Sequence, residues 1–418
     1  MSWSPTQNEA LIALFLLTYL GIALGRLPRL AIDRTGVALL GALAMGLVAN
    51  ADAATLTLLV DWPTMALLYA LMLFSAQLRL GGFYTFLALR LVDSVSESPR
   101  RFLAWQMAAS AALAAFLSND VICLAVAPVL VETCRAARIA PLPHLLGLAM
   151  AANIGSAATL IGNPQNMLIG QVGALDFGSY TAWSAVPVVL SLASAYAILW
   201  WQFRGALAKR AVGMIDLAEL ASGKPPFDAW QSGKGIALLA GLVALFFTEI
   251  PREHSALVCA GLLLLSRRMA TRALLERVDW HLITLFLALF VVVGLFRTTG
   301  APDAVMAWFA QRGGEVTHPL FFATLTVVLS NIVSNVPAVM LLMQFLPSDQ
   351  VSLWYLLAVV STFAGNLLLV GSIANLIVAE QAARYGVVIG FTTYLRSGVW
   401  VTFSSLFVVL GWFSLVAP

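Results

Sequence analysis

The chain has 418 residues, 61% of them hydrophobic and only 10% charged, with a mean hydropathy of +0.91. A soluble domain carries roughly a quarter charged residues, so the composition excludes a water-soluble globule and points to an all-α polytopic membrane protein. The net charge of +3 then reports orientation in a membrane and argues for no nucleic-acid partner.

Apolar runs long enough to cross a bilayer recur at about 10–25, 35–50, 63–80, 144–170, 184–203, 235–249, 254–268, 281–298, 352–380 and 397–416. The first has no basic residue before it and no small-residue cleavage site, so it reads as a retained helix rather than a signal peptide. Two further stretches, 102–134 and 319–346, are each long enough for two short helices and turn polar at their midpoints. They read as re-entrant hairpins, whose backbone survives at membrane depth only inside protein or along a wet cavity. Cys123, Cys134 and Cys259 share no metal-type spacing, and His144, His254, His281 and His318 are scattered near helix ends. Neither a disulfide framework nor a zinc site is expected.

With the N-terminus outside, ten crossings put twenty of the 23 Lys and Arg on or near the cytoplasmic side, Arg26, Arg29, Lys209, Arg210 and Lys224 among them. Only Arg252, Arg297 and Arg312 fall outside. Both termini are then external, and the expected location is the inner (plasma) membrane of a bacterium. Residues 204–234, with "SGKPPFDAW", read as a cytoplasmic linker.

The halves on either side of that linker repeat. A shift of 218 residues aligns Arg34 with Arg252, Asp61-Trp62 with Asp279-Trp280, Arg79 with Arg297 and Gly82 with Gly300. With a small change of offset, "LSND" (117–120) meets "VSNV" (333–336), and "GNPQNMLI" (162–169) meets "GSIANLIV" (371–378). Five crossings per half is an odd number, so the second copy must be inverted. The expected architecture is two inverted repeats of five transmembrane helices plus one hairpin each, with discontinuous helices at the midplane. The first repeat spans 1–203 (hairpin 102–134, broken helix 144–170) and the second 235–418 (hairpin 319–346, broken helix 352–380). Secondary transporters bind at the midplane of such repeats.

The broken stretches carry the chemistry. In "GSAATLIGNPQN" (155–166), Gly155 and Gly162 permit backbone that a side chain would forbid, and Pro164 removes a donor and pushes Asn163 out of helical geometry. The amides of Asn163 and Asn166, with the hairpin tip Ser118-Asn119-Asp120, form one half-site; Ser334, Asn335, Ser372 and Asn375 form the other. Gly155, Ser156, Thr159, Gly162 and Gly371 offer freed carbonyls and hydroxyls to a coupling ion such as Na+. The half-helix N-termini offer N–H groups to an anion. Asp120 is the one acidic residue placed near the bilayer middle, where carboxylates mark ion or proton pathways; it is assigned to the coupling ion. Its counterpart is Val336, so the half-sites are not equivalent.

A Ser-Asn hairpin tip followed by a "GSAATLIGNPQN" break, then "SNVPAV" and "GNLLLVGSIAN", resembles the ion transporter superfamily across essentially the whole chain. The nearest groups are the arsenite-efflux/NhaD-type permeases and the divalent anion/sodium symporters. The resemblance implies a scaffold and a transport domain, an elevator movement and a homodimer. It also implies that Ser118, Asn119 and the 162–166 break hold one substrate and cation half-site, and that Ser334, Asn335 and the 371–375 break hold the other. The symporters carry Thr third in both tips where this chain has Asp120 and Val336, which favours the arsenite/NhaD-like side. No P-loop is present, so transport runs on an ion gradient unless a separate ATPase subunit serves it. The expected function is transport of a small inorganic oxyanion, metalloid or carboxylate. The alternative is an Na+/H+ antiporter, and a channel or intramembrane enzyme fits less well. No cofactor is expected beyond Na+ as coupling ion.

Overall fold

A computed structural model describes residues 3–25, 31–208, 226–312, 315–347 and 349–416, with the backbone alone at 91–97. The described residues form helices and no β-strand. In chain order they are α1 (Pro5–Leu24), α2 (Arg34–Val48), α3 (Ala53–Leu59), α4 (Trp62–Leu80), α5 (Phe83–Glu97), α6 (Pro99–Ala114), α7 (Asn119–Ala136), α8 (Leu142–Ser156), α9 (Pro164–Val172), α10 (Phe177–Gln202) and α11 (Arg204–Leu207). Then come α12 (Ala229–Leu245), α13 (Arg252–Leu264), α14 (Thr271–Leu275), α15 (Trp280–Arg297), α16 (Ala301–Gln311), α17 (Pro319–Val333), α18 (Asn335–Leu342), α19 (Val351–Ala364), α20 (Ile373–Arg384) and α21 (Phe391–Leu415). α1, α4, α10, α15 and α21 are long and apolar enough to cross a membrane. The protein is an integral membrane protein.

Local sequence sets the helix starts. Asp33, Asp52, Asp61, Asp176, Asp228 and Asp279 each accept a backbone N–H from the first turn of the helix that follows. Small residues let helices approach without a hydrophobic drive between them. At the α1–α2 contact, for instance, Gly21 faces Val37 and Gly41 faces Thr18.

The residues paired by the sequence shift share local geometry. Asp61 Oδ1 accepts from Thr64 N at 2.8 Å, and Asp279 Oδ1 from Leu282 N at 2.9 Å. Trp62 Nε1 donates to Thr57 O at 3.1 Å, and Trp280 Nε1 to Leu275 O at 3.0 Å. Gly82 and Gly300 take left-handed φ of 70° and 72° at the ends of α4 and α15, where a Cβ would be strained. Packing recurs too: α2 lies on α15 and α13 on α4, while α6 lies on α8 and α17 on α19.

Five helices fall outside the expected spans: α3, α5, α11, α14 and α16. Each is too short or too polar to read as a crossing, and α5 and α16 carry the mixed composition of helices that lie along a membrane surface. α10 and α21 also begin earlier than expected, at Phe177 and Phe391, because polar first turns hide a helix start from a hydropathy reading. Most of the 204–234 linker, with Lys209, Arg210 and Lys224, lies outside the described residues, as do Arg26 and Arg29.

Candidate functional site

Two helical hairpins and two interrupted helices meet at the site. The α6–α7 hairpin turns at residues 115–118, and α17 meets α18 at Ser334. α8 stops at Ser156 and α9 starts at Pro164; α19 stops at Ala364 and α20 starts at Ile373, after a short 3-10 turn at Leu369–Gly371.

The first break is narrower than its sequence suggests. Gly155 and Ser156 still belong to α8, so irregular backbone runs only over 157–163. Neither Gly155 nor Gly162 has a positive φ. What they permit is close approach: a Cβ at Gly155 would meet the Ala111 backbone, and one at Gly162 the carbonyls of Ser156 and Ala114. These glycines seat α8 and the break against α6.

Asn163 and Asn166 hold the break shut. Asn163 Oδ1 caps α9 by accepting Asn166 N at 2.9 Å, and its Nδ2 donates to Ser156 Oγ at 2.9 Å and Thr362 Oγ1 at 3.1 Å. Asn166 Nδ2 donates to Thr159 O at 3.1 Å and Ser156 O at 3.4 Å. The second break repeats this arrangement: Asn375 Nδ2 donates to Leu368 O at 3.1 Å and Gly365 O at 2.7 Å, the carbonyls seven and ten residues before it. Tyr180 OH and Ser184 Oγ close the carbonyls of Ala157 and Ala158, and Thr159 Oγ1 donates to Ala115 O. A buried polar group without a partner costs about 1–3 kcal/mol, and these bonds are how irregular backbone persists in an apolar chain.

A residue that sequence reasoning passed over ties the halves together. Asn153, in α8, accepts from Asn119 Nδ2 and Ser372 Oγ, both at 3.0 Å. It donates to Asn366 Oδ1 at 2.9 Å and Asn375 Oδ1 at 3.0 Å. Asn366 and Thr362 were likewise not assigned. Thr362 lies 209 residues after Asn153, the offset that pairs Asn166 with Asn375, and it reaches back to Asn163 and Asn166. The signal available in the sequence was an Asn inside an apolar helix with a polar residue at its repeat position.

Between the tips lies a cavity of about 30 Å³ lined by Asn119, Asp120, Pro164, Gln165, Leu282, Ser334, Asn335, Val336, Ser372 and Ile373. It has room for a water or a small ion, not for an organic anion. The first residues of α7, α9, α18 and α20 all border it, so four helix N-termini converge on one small space. Each brings the positive end of a dipole, although Asn163 and Ser372 already take the N–H groups of Asn166 and Ala374. Ser118 lines only the adjoining cavity of about 70 Å³, which also contains Asp120. Asn163, Asn166, Asn375, Gly155, Ser156, Thr159, Gly162 and Gly371 line neither; their place is in the walls. Asp279, the N-cap of α15, lines the larger cavity with Asp120.

The two tips differ. Ser118 has ordinary geometry (φ −55°, ψ 127°), whereas Ser334 is held at φ 78°, ψ 160°, a region that only glycine occupies freely. The buried Oδ1 atoms of Asn331 and Asn335 have no hydrogen-bond partner, so they can accept from a ligand or coordinate a cation. No group of three or more His, Cys, Asp or Glu that could hold a metal ion occurs among the described residues.

Known proteins share this chain along most of its length. It is 29% identical to a 46 kDa membrane protein of Mycobacterium leprae over 365 residues, covering 83% of this chain and 84% of that one. It is 28% identical to a silicon efflux transporter of Oryza sativa subsp. japonica, with 85% and 87% covered. It is 29% identical to an inner membrane protein of Escherichia coli, YbiR, with 77% and 80% covered. A family model described as citrate transporter matches residues 13–359, a stretch that takes in both hairpin tips and the first break. The chain therefore belongs to the citrate transporter family, within the ion transporter superfamily whose paired tips and breaks it carries.

Proposed function

We propose that the protein is a gradient-driven secondary transporter of a small anion. The convergence of four helix N-termini on a cavity walled by neutral amides and hydroxyls carries this reading. Dipoles and N–H groups stabilise negative charge without a fixed counter-charge, so the anion is held and also released. The cargo is an inorganic oxyanion or a carboxylate; a metalloid hydroxide is the uncharged variant suggested by the silicon transporter among the relatives. Citrate, from the family's description, is far larger than the 30 Å³ cavity, so binding it requires the tips to part.

The matched caps, breaks and packing support two inverted repeats, 1–203 and 235–418, joined by the 204–234 linker. Alternating access is of the elevator type, with the hairpins and breaks as the moving unit, and the protein works as a homodimer. Asp120, on both cavities, carries the coupling ion, H+ or Na+. For Na+, the unpartnered oxygens of Asn331 and Asn335 are further ligands. A second reading, an Na+/H+ antiporter, is favoured by the same residue: Asp120 is the only ionisable side chain on the inner cavity.

A thermal-shift series on detergent-purified protein separates the two, since a ligand of the folded state raises the melting temperature with its concentration. Stabilisation by citrate, phosphate, sulfate or arsenate, lost in Asn119→Ala and Asn335→Ala, is the expected result. Stabilisation by Na+ or pH alone, abolished in Asp120→Asn, would replace anion transport by cation exchange.

A further inference from the structure

Beside the inner cavity, and sharing Asp120, Pro164 and Leu282 with it, lies the cavity of about 70 Å³. Two arginines line it. Arg79 is in the last turn of α4, and Arg277 lies in the turn between α14 and α15. Arg79 is half-buried and Arg277 exposed. Neither guanidinium makes a hydrogen bond or ion pair with any described residue. Asp279 also lines the cavity, and one of its carboxylate oxygens is taken by the N–H of Leu282 at the start of α15.

Asp120 and Asp279 line the same cavity, but neither carboxylate pairs with Arg79 or Arg277, so both guanidiniums keep donors that an anion entering the space can take. A guanidinium is also built to grip carboxylate or oxyanion edges through paired donors. Interfacial snorkelling accounts for one arginine at a helix end; it does not account for two, from different parts of the chain, on a cavity that shares three lining residues with the inner one. The second copy lacks the arrangement. The position matching Arg277 is Leu59, and Arg297, which matches Arg79, is exposed.

We infer that Arg79 and Arg277 form an anion-capture site at one mouth of the transport path, so that the cargo bears a negative charge. This rests on the transport reading above and narrows it: a carboxylate or oxyanion is taken, and a neutral hydroxide such as arsenous or silicic acid is not. By the distribution of basic residues the mouth is the cytoplasmic one. Asp120, placed between the two cavities, is the next group such an anion meets.

The test is uptake by proteoliposomes of labelled citrate, phosphate and arsenate, with arsenous and silicic acid as neutral probes at pH 7. Wild type, Arg79→Gln, Arg277→Gln, both Arg→Lys variants and Asn335→Ala are compared, each checked for a normal melting temperature. Each Gln variant is expected to raise KM for the transported anion about tenfold with kcat held, the sign of lost ground-state binding. The Lys variants recover part of it, and raised ionic strength reproduces the effect in wild type. Unchanged KM in both Gln variants while Asn335→Ala abolishes uptake would overturn the capture site and leave the transporter standing. Uptake of a neutral acid in preference to every anion would overturn it as well. If wild type moves none of these solutes, the transport reading itself fails and takes the inference with it.

Discussion

The two hairpin tips are built on one plan and finished differently. The first ends in Ser118 with relaxed backbone, and its Asn119 is bound to Asn153. The second ends in Ser334 with a backbone suited to glycine, and its Asn335 carries an oxygen with no partner. The helices behind them differ as well, since α7 runs 18 residues and α18 only eight before passing into a 3-10 turn. At the tips themselves, the asparagine of the first is held by a partner and that of the second keeps an open acceptor. A site that binds and releases needs both: a rigid wall to define geometry, and a wall with unspent hydrogen-bonding capacity to receive the ligand.

Asn153→Ala is the most severe way to break this contrast. It strips partners from Asn119, Ser372, Asn366 and Asn375 at once. At about 1–3 kcal/mol for each buried group left unpaired, a total loss of at least about 3 kcal/mol is expected, read as a fall in melting temperature or in yield of folded protein. Ser334→Gly acts in the opposite direction. Releasing a strained φ is worth about 1–3 kcal/mol, so the variant should melt higher than wild type; an unchanged or lower melting temperature would show that Ser334 is not strained.

Asn335→Ala and Asn119→Ala sharpen the comparison. No described donor bonds Asn335 Oδ1, so Asn335→Ala strands no donor there and should shift stability by less than about 1 kcal/mol while weakening anion stabilisation. Removing Asn119 should cost about 1–2 kcal/mol more, because it frees one side of Asn153. Equal melting temperatures for the two would erase the distinction between saturated and open walls. The smallest effect belongs to Trp62→Phe and Trp280→Phe. Each deletes one exposed indole bond, worth about 0.5–1 kcal/mol, and the two losses should match within error because the local geometry matches.

Much of this was legible in the chain itself. The Asp-Trp and Arg-x-x-Gly pairs mark positions whose backbone demands are specific, a cap and a left-handed turn, and such demands survive in sequence. The tips and breaks show because Ser, Asn, Gly and Pro are conspicuous in apolar surroundings. The roles within the breaks were less legible. Asn163 and Asn166 read as ligands, yet their amides face the backbone they stabilise; composition marks a polar residue but not the direction of its donors. Asn153 was hidden for a related reason, since three of its four partners lie 213 to 222 residues away. Arg277 and Asp279 sit beside Asp120 only through the packing of α15 and its preceding turn, which no local pattern reports.

Asn153 has a bearing on how the protein is made. A ribosome completes it some two hundred residues before Asn366, Ser372 and Asn375 emerge. Until then the first half resides in the bilayer with an amide that has met only one of its four partners, Asn119, and Asn163 waits likewise for Thr362. Neither half can finish folding alone. Biogenesis therefore passes through a half-assembled species that must be sheltered by the insertion machinery or remain hydrated, and its lifetime is set by the synthesis of α12 through α20.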